Sequence, residues 1–331
     1  MRKALVVGVD HYDSDDFRNL HGAANDARQV ADALERNANG SGNFVTPKVL
    51  TATDPSSALT KRELKNSVQE LFADDSEIAL FYFSGHGYIE DVGGGYLCSS
   101  DCKDGDDGLP LAEVMKMASA SRAKNKVIIL DSCFSGVVGA APLDANFSQV
   151  PTGMTILTAS TADQFAMETG GGGVFTTLLV DALKGAAADV LGAVTPGSVY
   201  AHIDQSLGPW AQRPVFKTNI KQFIKLTTAE ALVELGDLQQ LPTVFTSAGE
   251  VFQLDPSFEP ERNGGEDPAI PPPNPINTAR FAVLQRLESA GLVRPVGATK
   301  PHMWHAAMQS KGCELTRQGQ HYWRLAERGL M

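Results

Sequence analysis

Ile78-Ala79-Leu80-Phe81-Tyr82-Phe83-Ser84-Gly85-His86-Gly87 and Lys126-Val127-Ile128-Ile129-Leu130-Asp131-Ser132-Cys133-Phe134-Ser135-Gly136 are built alike. Each opens on an apolar run with almost no polar interruption, the pattern of a strand buried on both faces of a parallel sheet. Each then passes into small, turn-permissive residues that carry one reactive side chain. Chemistry in an open α/β sheet gathers at the carboxyl ends of the strands, so both segments are predicted to open into one crevice. A histidine and a cysteine delivered there supply a thiolate nucleophile and its acid–base partner.

The flanking sequence repeats the alternation. Further strands are predicted over 5–9, 43–50 and 154–159. Helices are predicted over 26–36, where Ala27, Val30, Ala31 and Leu34 share a face, and over 61–72, 111–121 and 174–184. Strands alternating with helices imply right-handed crossovers and a mostly parallel sheet flanked by helices on both faces.

Cys133 follows His86 by 47 residues, near the roughly 50 that separate the same pair in caspases. The caspase signature Gln-Ala-Cys-x-Gly is replaced by Asp131-Ser132-Cys133-Phe134-Ser135-Gly136. In this form, and with Ser84-Gly85-His86-Gly87, the chain resembles the metacaspases and bacterial caspase-like peptidases. The resemblance runs from about residue 1 to residue 225, taking in Ser160-Thr161-Ala162-Asp163-Gln164, Phe175-Thr176-Thr177 and Gln212-Arg213-Pro214. It implies a caspase-like fold, with Cys133 as nucleophile, His86 as acid–base partner, and the backbone N–H groups of Gly87 and Cys133 as the oxyanion hole. No third residue that would orient His86 is identifiable in the sequence.

Specificity is read from acids. Asp131 stands two residues before Cys133, at the mouth of the same strand. Asn25-Asp26-Ala27 matches the metacaspase pattern for the base of the primary pocket, and Ser84 matches a third pocket position. Two carboxylates without an arginine favour a cationic side chain, Arg or Lys, before the scissile bond. The plainer alternatives are a helix-start charge for Asp26 and a buried structural carboxylate for Asp131. Caspases that cut after Asp need basic pocket residues, and none stands at these positions.

Hydrophobic residues make up 43% of the chain and charged residues 20%, as in ordinary globular proteins. No segment reaches the roughly 18 to 20 apolar residues of a membrane span. With four cysteines and no secretory signal, the expected setting is a reducing cytoplasm. No cofactor is expected to be required. The loop around Asp104, Asp106 and Asp107 offers calcium ligands without EF-hand spacing, and a solvated acidic loop is the alternative. Gly170-Gly171-Gly172-Gly173 is expected to border the substrate groove.

The peptidase domain is expected over 1–226, followed by a connecting segment over 227–258 and a Pro/Gly-rich linker over 259–275. A small winged-helix-like domain is expected over 276–331. From residue 277 onward eight Lys and Arg face three Asp and Glu, against a formal charge of −11 for the whole chain. Arg280, Arg286, Arg294, Lys300, Lys311, Arg317 and Arg324 could meet DNA phosphates. Docking of a regulatory protein through Trp304, Tyr322 and Trp323, or packing of this basic segment against the acidic peptidase domain itself, comes ahead of DNA. Between Phe134 and Val150 there is no Lys or Arg, so a peptidase of basic specificity would not process itself there. A cut near Arg262 is the expected alternative, parting the two domains. The sequence thus points to a cysteine endopeptidase acting on proteins after Arg or Lys, regulated by a partner, calcium or linker cleavage. A non-catalytic interaction protein contacting DNA or a partner is the second reading.

Overall fold

The first eleven residues set the frame of the computed structural model. β1 (Arg2–Val9) is buried from Ala4 onward, and its carboxyl end runs into Asp10. The structure describes residues 1–90, 94–132, 134–136, 150–159, 168–169, 172–208, 213–262, 264 and 267–331. Cys133, Gly170, Gly171 and the 160–164 motif lie outside the described residues.

After β1 come α1 (Ala23–Glu35), β2 (Lys48–Ala52), α2 (Lys61–Ala73), β3 (Ile78–Ser84), β4 (Gly87–Glu90), β5 (Gly94–Leu97) and β6 (Leu109–Pro110). Then follow α3 (Leu111–Ala120), β7 (Asn125–Asp131), β8 (Phe134–Gly136), β9 (Met154–Thr158), β10 (Glu168–Thr169) and β11 (Gly172–Gly173). α4 (Val174–Asp181), β12 (Ala193–Val194), α5 (Pro196–Ser206), β13 (Val215–Asn219) and β14 (Thr227–Thr228) complete the first unit. Among the described residues its central sheet has six strands in the order β13-β9-β7-β3-β1-β2. β13 is antiparallel to its neighbour and the other pairs are parallel.

Alternate residues of each strand enter different cores. Leu5, Val7, Phe81, Phe83, Ile128 and Leu130 pack with Leu64, Val68 and Val114 of α2 and α3. Val6, Leu80, Tyr82, Val127 and Ile129 pack with Val30, Leu34, Leu179 and Ile203 of α1, α4 and α5. Burial on both faces is why these strands read as unbroken apolar runs. The caspase-like α/β layering expected from the sequence is the fold observed.

Two boundaries differ from expectation for identifiable reasons. α1 begins at Ala23, three residues before the predicted start. Gly22 has no side chain to cap it, and Asp10 does so instead: its carboxylate accepts from Ala23 N at 2.8 Å and Ala24 N at 3.2 Å. β2 begins at Lys48, because Asn43 and Phe44 give their N–H groups to Glu35 and Leu34 carbonyls at the end of α1.

The second compact unit comprises Asp189–Gly192 and Glu230–Met331. It contains α6 (Leu235–Gln239), α7 (Leu241–Val244), β15 (Val251–Gln253), α8 (Pro275–Ser289), β16 (Val293–Val296), α9 (Met303–Met308), β17 (Gly312–Leu315) and α10 (Arg317–Glu327). The segments expected over 227–258 and 259–275 do not stand apart from it. Phe245, Leu254 and Phe258 share one core with Phe281, Leu284 and Trp323. Glu259 is buried, and the Arg262 guanidinium bonds the Pro256 and Pro271 carbonyls and Met308 Sδ. A cut near Arg262 would therefore fall inside this unit. Between β16 and β17 the chain forms α9, and the antiparallel sheet runs β15-β17-β16.

The moved boundary also changes the charge. Residues 189–192 and 230–331 together carry nine Lys and Arg against thirteen Asp and Glu, a net −4. Arg286 is held by both oxygens of Asp237, Arg294 by Glu314, and Arg280 lies over the Phe252 ring. The second compact unit is acidic, whereas residues 277–331 taken alone are basic. No described helix is long and apolar enough to cross a membrane.

Asp10→Ala should cost about 1–2 kcal/mol by uncapping α1, and Asp10→Asn less, since the amide oxygen still accepts. Urea unfolding of the full chain, followed by far-UV circular dichroism, measures the difference.

Candidate active site

The central strands end level. Gly8 pairs with Ser84 and Ser84 with Asp131. Past that line β4 and β8 continue the pairing, with Gly87 opposite Phe134 and Ile89 opposite Gly136. The offset is 47 residues before the turn (84 to 131) and 47 after it (87 to 134).

His86 sits on the turn between β3 and β4. Gly85 before it has φ +154°, and a Cβ there would stand 2.8 Å from Tyr12 Oη and 3.1 Å from the Phe83 ring. The position requires glycine. His86 N donates to Tyr12 Oη at 2.7 Å, and the His86 carbonyl accepts from Cys98 N at 3.0 Å. The half-buried imidazole lies 4.7 Å from the Tyr12 ring and 5.6 Å from Phe17. Burial pushes the Tyr12 hydroxyl well above the usual phenol range, so it stays neutral.

The His86 Nε2 is 2.7 Å from the Arg18 carbonyl oxygen. A carbonyl only accepts, so Nε2 carries the proton and Nδ1 is the basic nitrogen of the neutral ring. The orienting group missing from the sequence reading is thus a backbone carbonyl. Any residue at position 18 would provide it, so no side chain could have signalled it. Tyr12 was equally silent, being one more aromatic residue after a strand.

The acids meet at Gly173. Asp26, 2% exposed, accepts from Gly173 N at 3.0 Å. A Cβ on Gly173 would lie 2.7 Å from Asp131 Oδ2 and 3.4 Å from Asp26 Oδ2, so both carboxylates face one glycine. Thr176 Oγ1 donates to Asp131 Oδ2 at 2.5 Å and lies 2.5 Å from Tyr82 Oη. Ser84 is buried at the end of β3, two residues after Tyr82 and paired with Asp131. Burial, followed by the charges of Asp131 and Asp26, pushes the Tyr82 hydroxyl well above the usual phenol range. The structure therefore brings Asp26, Asp131 and Ser84 into one neighbourhood and adds Thr176 and Tyr82, which the sequence reading did not single out.

Other candidates lie apart from this group. Asp107 accepts from Lys103 N, Gly105 N and Cys102 Sγ of its own turn, while Asp104 and Asp106 are exposed. Among the described residues no group of three or more His, Cys, Asp and Glu is placed to hold a metal ion. Cys98, Cys102 and Cys313 are free and buried. Hydrogen bonding to Cys98, then burial and Asp107, push the Cys102 thiol far up, and burial pushes Cys313 up to about 12.

A family model of the caspase domain matches residues 1–225. The chain belongs to the caspase-domain family. Among solved structures, the caspase domain is similar to the protein GSU0716 from Geobacter sulfurreducens. That match has a TM-score of 0.52 and 18% identity, and covers 70% of this chain and 100% of the other. Caspase-1 from Spodoptera frugiperda matches with a TM-score of 0.50 and 13% identity, over 69% of this chain and 91% of its own. At such identities the likeness is one of fold. No curated protein matches the chain. Within the caspase domain, His86, Asp26, Ser84 and Asp131 all stand at or beyond the carboxyl ends of the parallel strands or the helix start beside them.

Nitrogen-15 NMR of His86 at neutral pH should report the Nε2–H tautomer. An Nδ1–H form would remove the Arg18 contact from the hydrogen bonds.

Proposed function

We propose that the caspase domain is a cysteine endopeptidase that hydrolyses proteins after Arg or Lys, with Cys133 as nucleophile and His86 as acid and base. The observation that supports this most directly is the shared offset of the two ladders. Residues paired on either side of position 133 stand 47 apart, the same separation as His86 and Cys133.

In this reading the imidazole, anchored through Nε2 on Arg18, takes the Cys133 thiol proton on Nδ1. The thiolate attacks the scissile carbonyl. His86 returns the proton to the leaving amine as the thioester forms, then draws a proton from the water that hydrolyses it. Backbone N–H groups of Gly87 and Cys133 would hold the oxyanion, each donor of this kind being worth about 2.7–4 kcal/mol. Asp26, Asp131 and Ser84 would receive the cationic side chain through charge-assisted bonds. Calcium at the loop bearing Asp104, Asp106 and Asp107, or a regulatory protein bound through the second unit, would control activity.

The test is hydrolysis of fluorogenic peptides ending in Arg, Lys, Asp or Asn, with and without calcium, beside Cys133→Ala. Cleavage after Arg or Lys that disappears in the variant is expected. Cleavage after Asp would keep the dyad and sink the acidic pocket. Absence of turnover with every peptide would favour a binding role for the fold.

Iodoacetamide mapped by mass spectrometry gives a second check. Cys133 should be labelled first, because the other three thiols are buried.

A further inference from the structure

Three groups form a directed chain ending on one of the two acids. An ionised carboxylate only accepts, so the Thr176 proton points to Asp131 Oδ2, at 2.5 Å. A threonine hydroxyl has one proton, so at the other 2.5 Å contact Tyr82 must donate to Thr176. The order Tyr82, Thr176, Asp131 has one acceptor-only end, and each hydroxyl polarises the next toward it. All the links are buried: Tyr82 is 0% and Thr176 1% exposed.

Three different elements meet in this chain. Tyr82 belongs to β3, Asp131 ends β7, and Thr176 lies in the first turn of α4. The residue before α4, Gly173, gives its N–H to Asp26. The start of one helix thus holds both acids, one by a main-chain donor and one by a side-chain donor. The apolar core on this face of the sheet has no need of a hydroxyl at position 82 or 176. What the hydroxyls supply is a donor, fixed by packing, for a buried carboxylate.

We propose that Thr176 and Tyr82 are positioning residues for substrate selection, holding Asp131 ionised and oriented toward the cationic side chain that precedes the scissile bond. This rests on Asp131 being part of the acidic pocket. The effect falls on substrate binding, because the chain ends on the carboxylate that would meet the cationic side chain.

The experiment is steady-state kinetics on the full chain with an Arg peptide and a Lys peptide, for Thr176→Val, Thr176→Ser, Tyr82→Phe and Asp131→Asn. Thr176→Val should raise KM about tenfold or more, in keeping with loss of a hydrogen bond to a charged group, with kcat within about twofold. Thr176→Ser should return KM to within about threefold of the parent, and Tyr82→Phe should raise it by a smaller factor than Thr176→Val. The rate of Cys133 alkylation should not change in Thr176→Val, Thr176→Ser or Tyr82→Phe. KM unchanged in Thr176→Val while Asp131→Asn raises it would overturn the positioning role and leave the pocket standing. Unchanged KM in Asp131→Asn would remove the pocket reading and this inference with it. If Thr176→Val does not fold, Tyr82→Phe decides by the same KM criterion.

Discussion

Three parallel strands that stop at the same level are the constraint from which the rest follows. Gly8, Ser84 and Asp131 stand side by side, and the side chains ahead of them alternate between two dry cores. A slip of one residue in β3 would send Phe81 and Phe83 into the space shaped for Leu80 and Tyr82, and the reverse. Register is therefore fixed by packing on both faces, more firmly than in a sheet with one wet face. Whatever follows the strands inherits that alignment. His86 is placed by packing that occurred several residues earlier.

The helix face is tied to the same line through unlike means. Asp10 continues β1 and caps α1, so the helix that carries Asp26 is hung from the strand end by a carboxylate. Gly8 lets that helix start close in, since a Cβ would lie 2.1 Å from the Ala23 carbonyl oxygen. Strand, turn and helix are thereby locked over about fifteen residues without a long side chain among the contacts.

Much of this was legible in the amino-acid sequence because the central strands are pure apolar runs with a reactive residue after each. His86, Asp26, Ser84 and Asp131 could be picked out for the same reason, by their place after a strand or at a helix start. The groups that were not legible act through main-chain atoms or through common side chains. The Arg18 carbonyl has no side-chain signature, and Tyr12 and Thr176 become informative only when strands distant in sequence are laid side by side. α1 could not be started correctly because its cap lies thirteen residues away in sequence. In the second unit, proline-rich composition suggested a free linker. There the chain is irregular yet held, by carbonyls that receive Arg262 and by Asn274 capping α8.

The chain enters the second unit twice. Asp189–Gly192 belongs to it, and Val190, 4% exposed, sits in its core while its carbonyl accepts from Leu232 N and Val233 N. The chain then returns for β12, α5, β13 and β14 of the caspase domain before leaving again at Glu230. A unit threaded in this way is not a cassette that one recombination event could attach or remove. A graft beginning at residue 230 would arrive without a piece of its own interior, and the donor left behind would carry a stranded valine. The two units of this chain are therefore expected to be inherited, and exchanged, together.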